Sequence, residues 1–228
     1  MPGFVLCHGW GLDARSLDPL AAALRARFPA HELLAEELGF FGPARAAVAD
    51  AAARDDGGWI GIGHSWGFAR LAQATVAPRW RALVSINGFT RFCRAPGRRS
   101  GMPARAVDAM LARLALDADG CLADFHARCA EGGAVPAAVP PYRADSAALA
   151  EALRQLRDSD FVPPAVPLLA LVAAADAVVA PEHAQTLFAP LATELVTLAG
   201  SHLLPLDAPD DCAAAIARFV AALPPATE

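Results

Sequence analysis

The sequence predicts an α/β domain of the doubly wound kind, with helices covering both faces of a mostly parallel sheet of about six strands. Three observations carry this. Short, nearly continuous apolar runs recur along the chain, each ends in a glycine-rich or polar turn, and helix-compatible stretches lie between them. A length of 228 residues suits one well-cored domain rather than two, so residues 1–228 are read as a single unit.

The elements follow in order. Phe4–Cys7 is the first strand and runs into His8-Gly9-Trp10-Gly11. A weaker run, His31–Ala35, precedes Gly39-Phe40-Phe41-Gly42-Pro43. Trp59–Ile62 leads into a turn centred on Ser65, Ala82–Ile86 into Asn87-Gly88, and Leu168–Ala175 into Asp176. A second weaker run, Glu194–Leu198, precedes Gly200-Ser201-His202. Apolar periodicity predicts helices near Arg15–Arg27, Ala44–Arg54, Trp66–Ala77, Pro181–Phe188 and Pro209–Ala222. The alternation breaks between Thr90 and Val166, where helices are expected near Ala104–Leu116, Cys121–Ala130 and Ser146–Arg157 but no strand is. Residues 90–166 therefore read as a helical cap inserted after the third strong strand. Pro163-Pro164-Ala165-Val166-Pro167 marks the return to the sheet, since prolines resist helix and set an extended lead-in.

Composition narrows the function. A hydrophobic fraction of 55% excludes a wholly disordered chain, and no apolar run is long enough to span a bilayer. A net charge of −5 argues against nucleic-acid binding, because no overall positive field is available to hold phosphates. The start, Met-Pro-Gly followed by a strand, lacks a basic leader or an export cleavage pattern. Cys7, Cys93, Cys121, Cys129 and Cys212 are odd in number and dispersed, which fits reduced thiols rather than disulfides or a zinc site. The expectation is a cytoplasmic monomer with no membrane, metal or cofactor requirement.

The chemistry is carried by Gly63-His64-Ser65-Trp66-Gly67, a G-x-S-x-G pattern with a strand before it and a helix after it. A sharp strand-to-helix turn strains the serine backbone and lifts its hydroxyl above the sheet edge, and flanking glycines relieve the crowding. The next amide, that of Trp66, then lies at a helix N-terminus where it can donate to an oxyanion. Serine needs a histidine base, itself oriented by an acid. Of the six histidines, His8 and His64 sit beside glycines in tight turns at the sheet edge, and His31, His126 and His183 fall within strand or helix segments. His202 follows the last strand in a loop that can reach Ser65. Asp176 ends the strongest strand after Ser65, whereas Asp158 and Asp160 precede the last two strands and Asp207 reads as the start of the final helix region. The order Ser65, Asp176, His202 matches that of serine hydrolases on doubly wound sheets. The glycines after the first strand let its loop fold back over the edge, so that Trp10 N–H is a candidate for the second oxyanion donor.

These residues, with Gly39-Phe40-Phe41-Gly42 and His8-Gly9-Trp10-Gly11-Leu12, resemble the α/β-hydrolase superfamily. Within it they look closest to the pimeloyl-[acyl-carrier-protein] methyl ester esterases of biotin synthesis. The likeness extends to Asn87-Gly88-Phe89-Thr90-Arg91-Phe92, to Leu156-Arg157-Asp158-Ser159-Asp160 and to Cys212. The resemblance implies Ser65 as nucleophile, His202 as base, Asp176 as orienting acid and the Trp10 and Trp66 amides as oxyanion hole. It further implies cleavage of a methyl ester on a long dicarboxylyl chain borne by acyl carrier protein. That partner is acidic, so arginines among Arg91, Arg94, Arg98, Arg99, Arg105 and Arg113 are candidate contacts. Two departures stand out. The antiparallel strands usual at the N-terminus of this fold are missing, and Trp66 is a bulky elbow residue that bears on the shape of the acyl pocket. The same motifs also suit a general carboxylesterase, thioester or carbon–carbon hydrolysis, or a lyase step. A non-catalytic binding protein predicts a missing serine, histidine or acid, and all three are present.

Overall fold

The computed structural model describes residues 3–54, 58–97, 100–133 and 143–224. Among these, six strands form one parallel sheet in the order β2-β1-β3-β4-β5-β6, with β1 Gly3–Cys7, β2 Glu32–Glu36, β3 Trp59–His64, β4 Ala82–Ile86, β5 Leu168–Ala173 and β6 Glu194–Leu198. The apolar runs are nearly continuous because both sheet faces are buried, each by a different set of residues. Phe4, Leu6, Ile60, Ile62, Val84, Ile86, Leu169 and Leu171 belong to one core. It is closed by helices α1 (Asp18–Arg27) and, at the far end of the chain, Pro209–Ala222, through Leu20, Leu24, Ile216 and Phe219. The intervening Val5, Cys7, Trp59, Leu83, Leu168, Ala170 and Val172 belong to the other.

That second core is closed by α2 (Ala47–Ala52), α3 (Trp66–Ala72) and three helices between β4 and β5: α4 (Ala104–Leu116), α5 (Ala118–Cys129) and α6 (Ser146–Asp158). The excursion is tied at its base. Phe161 N–H donates to Thr90 O at 3.1 Å, and Arg91 pairs with Asp160 at 2.7 and 2.8 Å. After β5 come α7 (Pro181–Phe188), β6, a one-turn helix α8 (Leu204–Asp207) and α9 (Pro209–Ala222).

Several boundaries differ from the sequence expectation for identifiable reasons. Helix α5 begins at Ala118 rather than Cys121 because Asp117 caps it, accepting from Gly120 N–H at 2.9 Å. Helix α3 stops at Ala72, short of Ala77, and α2 is shorter at both ends. Asp207 does not open the last helix: it closes α8 and accepts from Ser201 N–H (2.7 Å) and Ser201 Oγ–H (2.6 Å), while Pro209, the first residue of α9, keeps that helix apart from α8. The segment Val135–Tyr142 lies outside the described residues, as do Arg98 and Arg99. None of the described helices is long and apolar enough to cross a membrane, and all five cysteines are buried free thiols.

Candidate active site

Strand order reverses between β1 and β3: the chain passes from β1 to an outer position at β2, then returns to the other side of β1. Loops leaving the two strands diverge there and open a crevice at their carboxyl ends. Trp10 follows β1 and Ser65 follows β3, so the two candidate loops flank this point. Ser65 has φ +53° and ψ −123°, a conformation that L residues avoid, and a turn this sharp needs close backbone contacts on both sides. A Cβ at Gly63 would lie 2.3 Å from the Phe68 backbone, and one at Gly67 would lie 2.2 Å from the Cys7 carbonyl oxygen. The two glycines thus press the elbow against α3 and β1. Gly67→Ala should therefore destabilise the fold by about 3 kcal/mol or more and lower the melting temperature by roughly 6 °C or more. A melting curve within about 2 °C of wild type would mean that the elbow does not sit against β1.

Three side chains from three strand ends meet at this crevice. His202 Nε2 lies 3.0 Å from Ser65 Oγ, and His202 Nδ1 lies 2.8 Å from Asp176 Oδ2. All three are buried. Asp176 Oδ1 is spoken for separately, accepting from Val178 and Val179 N–H, both at 2.8 Å. Those bonds fix the carboxylate plane so that only Oδ2 faces the imidazole. The Trp66 amide is the first of α3 and has no partner within the helix. The loop carrying Trp10 packs directly on the serine, since a Cβ at Gly9 would stand 3.1 Å from Ser65 Cβ.

The supporting residues were not legible as such in the sequence. Asn87, at the end of β4 with φ +50°, donates through Nδ2 to the carbonyls of Ser201 (3.0 Å) and His202 (3.1 Å) and accepts from Ala173 N–H at 2.7 Å. His64 donates through Nε2 to the same His202 carbonyl at 2.7 Å, so that carbonyl is held by two donors. Glu37, next to β2, contacts His8 Nε2 at 3.1 Å and accepts from the amides of Ala14 (3.0 Å) and Gly39 (3.2 Å), which ties the loop after β1 to the loop after β2. The only local hints were an asparagine able to adopt a left-handed turn and an acid beside a glycine loop.

Electrostatics follow from burial. Partial burial alone would raise the Glu37 carboxyl, but the His8 contact and the two amides outweigh it and hold the group at about 2. Burial, reinforced by the neighbouring His202, drives the His64 imidazole from 6.5 down to about 3. His64 is thus neutral in the fold, with Nδ1 unpartnered among the described residues. The unfolded chain binds a proton at His64 below its ordinary value and the folded chain does not, so stability falls as pH drops from 6.5 toward 3. Denaturant titrations across that range should show a shallower acid-side loss in His64→Gln, whose amide can still donate to the His202 carbonyl. An unchanged slope would assign the acid sensitivity elsewhere.

A cavity of about 110 Å³ opens over Ser65, walled chiefly by Trp10, Phe92, Met110, Phe125, Leu153 and Leu156. Trp10 is locked in its wall: its indole N–H donates to Leu149 O at 2.8 Å, and its ring meets Phe125 edge-on at 4.8 Å. The Trp66 side chain corrects the expectation drawn from its bulk. It does not line this cavity, but packs toward Phe40 at 6.2 Å and beneath Arg70 at 5.3 Å. Of the arginines singled out in the sequence, Arg91 is engaged with Asp160, and Arg113 with Asp124 (3.2 Å) and Asp117 (3.6 Å). Arg105 is exposed and makes no ion pair with the described residues, whereas Arg94 donates from Nε to Gly101 O at 3.2 Å. Among the described residues, no cluster of three histidine, cysteine or acidic side chains could hold a metal ion.

Residues 4–215 match the Alpha/beta hydrolase family, and the chain belongs to it. A curated relative, the pimeloyl-[acyl-carrier protein] methyl ester esterase of Stenotrophomonas maltophilia (strain K279a), is 30% identical and aligns over 99% of this chain and 95% of its own. Solved structures share the fold at lower identity. An esterase from Exiguobacterium antarcticum superposes with a TM-score of 0.79 at 17% identity, covering 97% of this chain and 92% of that one. A bromoperoxidase from Bacillus anthracis gives 0.78 at 14% identity, covering 96% and 92%.

Proposed function

We propose that the protein hydrolyses carboxylic esters through an acyl-enzyme. In this reading Ser65 is the nucleophile, His202 the general base and then acid, and Asp176 the group that orients and stabilises the imidazole. The observation that carries it is the unbroken hydrogen-bond chain from Asp176 to His202 to Ser65, at 2.8 and 3.0 Å.

The chemistry follows from that geometry. With Nδ1–H committed to Asp176, the lone pair of His202 Nε2 faces Ser65 Oγ and accepts its proton as the oxygen attacks the ester carbonyl. Negative charge then builds on the carbonyl oxygen, for which the Trp66 and Trp10 amides are the proposed donors. One such donor contributes about 10²–10³ in rate. The imidazolium returns its proton to the departing alkoxide. Water then enters, loses a proton to Nε2 and attacks the acyl carbon, and the proton passes back to Ser65 Oγ as the acid leaves.

For the substrate, we propose the methyl ester of a pimeloyl chain on acyl carrier protein, acted on in the cytoplasm during biotin synthesis. Support comes from the 30% identity to such an esterase along nearly the whole chain and from the apolar wall over Ser65, which suits an acyl chain. Residues 90–166 serve as the cap on this pocket. Among the candidate carrier contacts, Arg94 and Arg105 are exposed and free of an ion pair with the described residues, while Arg91 and Arg113 are already neutralised.

A fluorophosphonate probe should label the wild type and not Ser65→Ala; a wild type that never labels would sink the hydrolase reading. Growth rescue of a biotin auxotroph lacking its own methyl ester esterase, dependent on Ser65, would fix the substrate. Measurable ester hydrolysis without rescue would leave a general carboxylesterase.

A further inference from the structure

Ser65 sits under a cavity whose wall, among the described residues, contains a single charged side chain, that of Arg128 on α5. At about 110 Å³ the cavity is smaller than either of two clefts that share part of its wall. A chain that extends from the cavity into either cleft passes Arg128, which lines all three spaces. It also lines a cleft of about 210 Å³, which shares Phe92, Met102 and Val178 with the inner cavity. It likewise lines a cleft of about 400 Å³, which shares Ala106, Met110 and Phe125.

The two exits differ in charge. In the larger cleft Asp124 is present and already holds Arg113 at 3.2 Å. The smaller cleft is lined by Arg94 and Arg128 and, among the described residues, by no acid. Each of these arginines is anchored through Nε to a backbone carbonyl, Arg94 to Gly101 at 3.2 Å and Arg128 to Ala177 at 2.9 Å. Neither forms an ion pair with a described carboxylate, so their terminal nitrogens remain available. The third basic group in the cleft, His183, is engaged through Nε2 with Arg91 O at 2.8 Å, and its partial burial disfavours a charge. Two guanidinium groups anchored through Nε and not paired with a described carboxylate form a receptor for a planar or tetrahedral oxyanion.

We propose that Arg128, with Arg94, is the specificity-determining site of this enzyme and binds an anionic group carried on the substrate chain beyond the scissile ester. This rests on the ester-hydrolase reading of Ser65. The apolar cavity takes the few atoms next to the reacting carbonyl, the chain passes Arg128, and a carboxylate or phosphate settles between the two arginines. Either a free terminal carboxylate or the phosphate of a carrier-linked chain has the required chemistry.

Three methyl esters of matched length test it: one ending in a carboxylate, one in a phosphate and one in a neutral methyl group. Wild type should prefer at least one anionic ester over the neutral one in kcat/KM. Arg128→Gln should lower that preference about tenfold or more, chiefly through KM. Arg94→Gln should lower it in the same direction, and Arg128→Lys should restore part of it. A preference for the phosphate-ended ester alone assigns the cleft to a carrier-linked chain; one for the carboxylate-ended ester alone assigns it to a free acid. Wild type that cleaves all three esters equally overturns the proposal and leaves ester hydrolysis standing. So does an Arg128→Gln variant that loses all three in proportion, because a merely structural role through Ala177 would act that way. Failure to cleave any of them, together with absent fluorophosphonate labelling, overturns the hydrolase reading itself.

Discussion

Ser65→Ala is expected to lower kcat by about 10⁵–10⁶ while leaving the melting temperature unchanged, whereas Ser65→Gly should be equally inactive but more stable. The reason lies in the backbone. Ser65 holds φ at +53°, which costs a non-glycine residue roughly 1–3 kcal/mol, and alanine inherits the whole of that strain. Glycine relieves it, although its greater freedom in the unfolded chain takes back up to about 1 kcal/mol. A net gain of about 1 kcal/mol corresponds to a rise of roughly 2–4 °C in a domain of this size. Steady-state kinetics and thermal melting on the two variants separate the roles. Equal melting temperatures for Ala and Gly would mean that the elbow stores no strain, and activity surviving in either would remove Ser65 from the chemistry.

Asp176→Asn is expected to cost about 10⁴ in kcat with the fold intact. The two amides of Val178 and Val179, both at 2.8 Å, hold an acceptor at Oδ1 and would keep the asparagine oxygen there. The new NH₂ group must then face His202 Nδ1, where the carboxylate now accepts at 2.8 Å. A donor in that position forces the Nδ1 lone pair inward and moves the imidazole proton to Nε2, which then points a hydrogen at Ser65 Oγ and cannot take one from it. Loss of kcat with an unchanged melting curve would support the tautomer argument. A variant within about tenfold of wild type would show that another acid orients His202.

The parts of the site that could be read in the sequence are those whose signal is local. Gly63 and Gly67 flank Ser65 within one turn, and the steric need that makes them glycine is a property of that turn. Asp176 and His202 were found by position, because each follows a strand and the carboxyl ends of parallel strands share one edge. Asn87 was read as an ordinary strand-end turn, since its partners Ser201 and His202 lie more than a hundred residues away in the chain. Arg128 passed unnoticed for a similar reason: in a helix that also carries Asp119 and Asp124, nothing local distinguishes an arginine at a cavity mouth from one facing water. Conversely, the bulk of Trp66 suggested a pocket wall, and only packing against Phe40 and Arg70 turned it away.

The sequence by itself determined the doubly wound α/β class, the strand and helix order and the serine elbow, because hydrophobic period, glycine placement and turn chemistry act over a few residues. The tertiary structure alone decided which groups support His202, which arginines are neutralised by acids such as Asp160 and Asp124, and which two line one cleft together. Those outcomes depend on distances between segments far apart in the chain, and a distance across the fold is set by how the helices pack on the sheet rather than by any one segment's own preference.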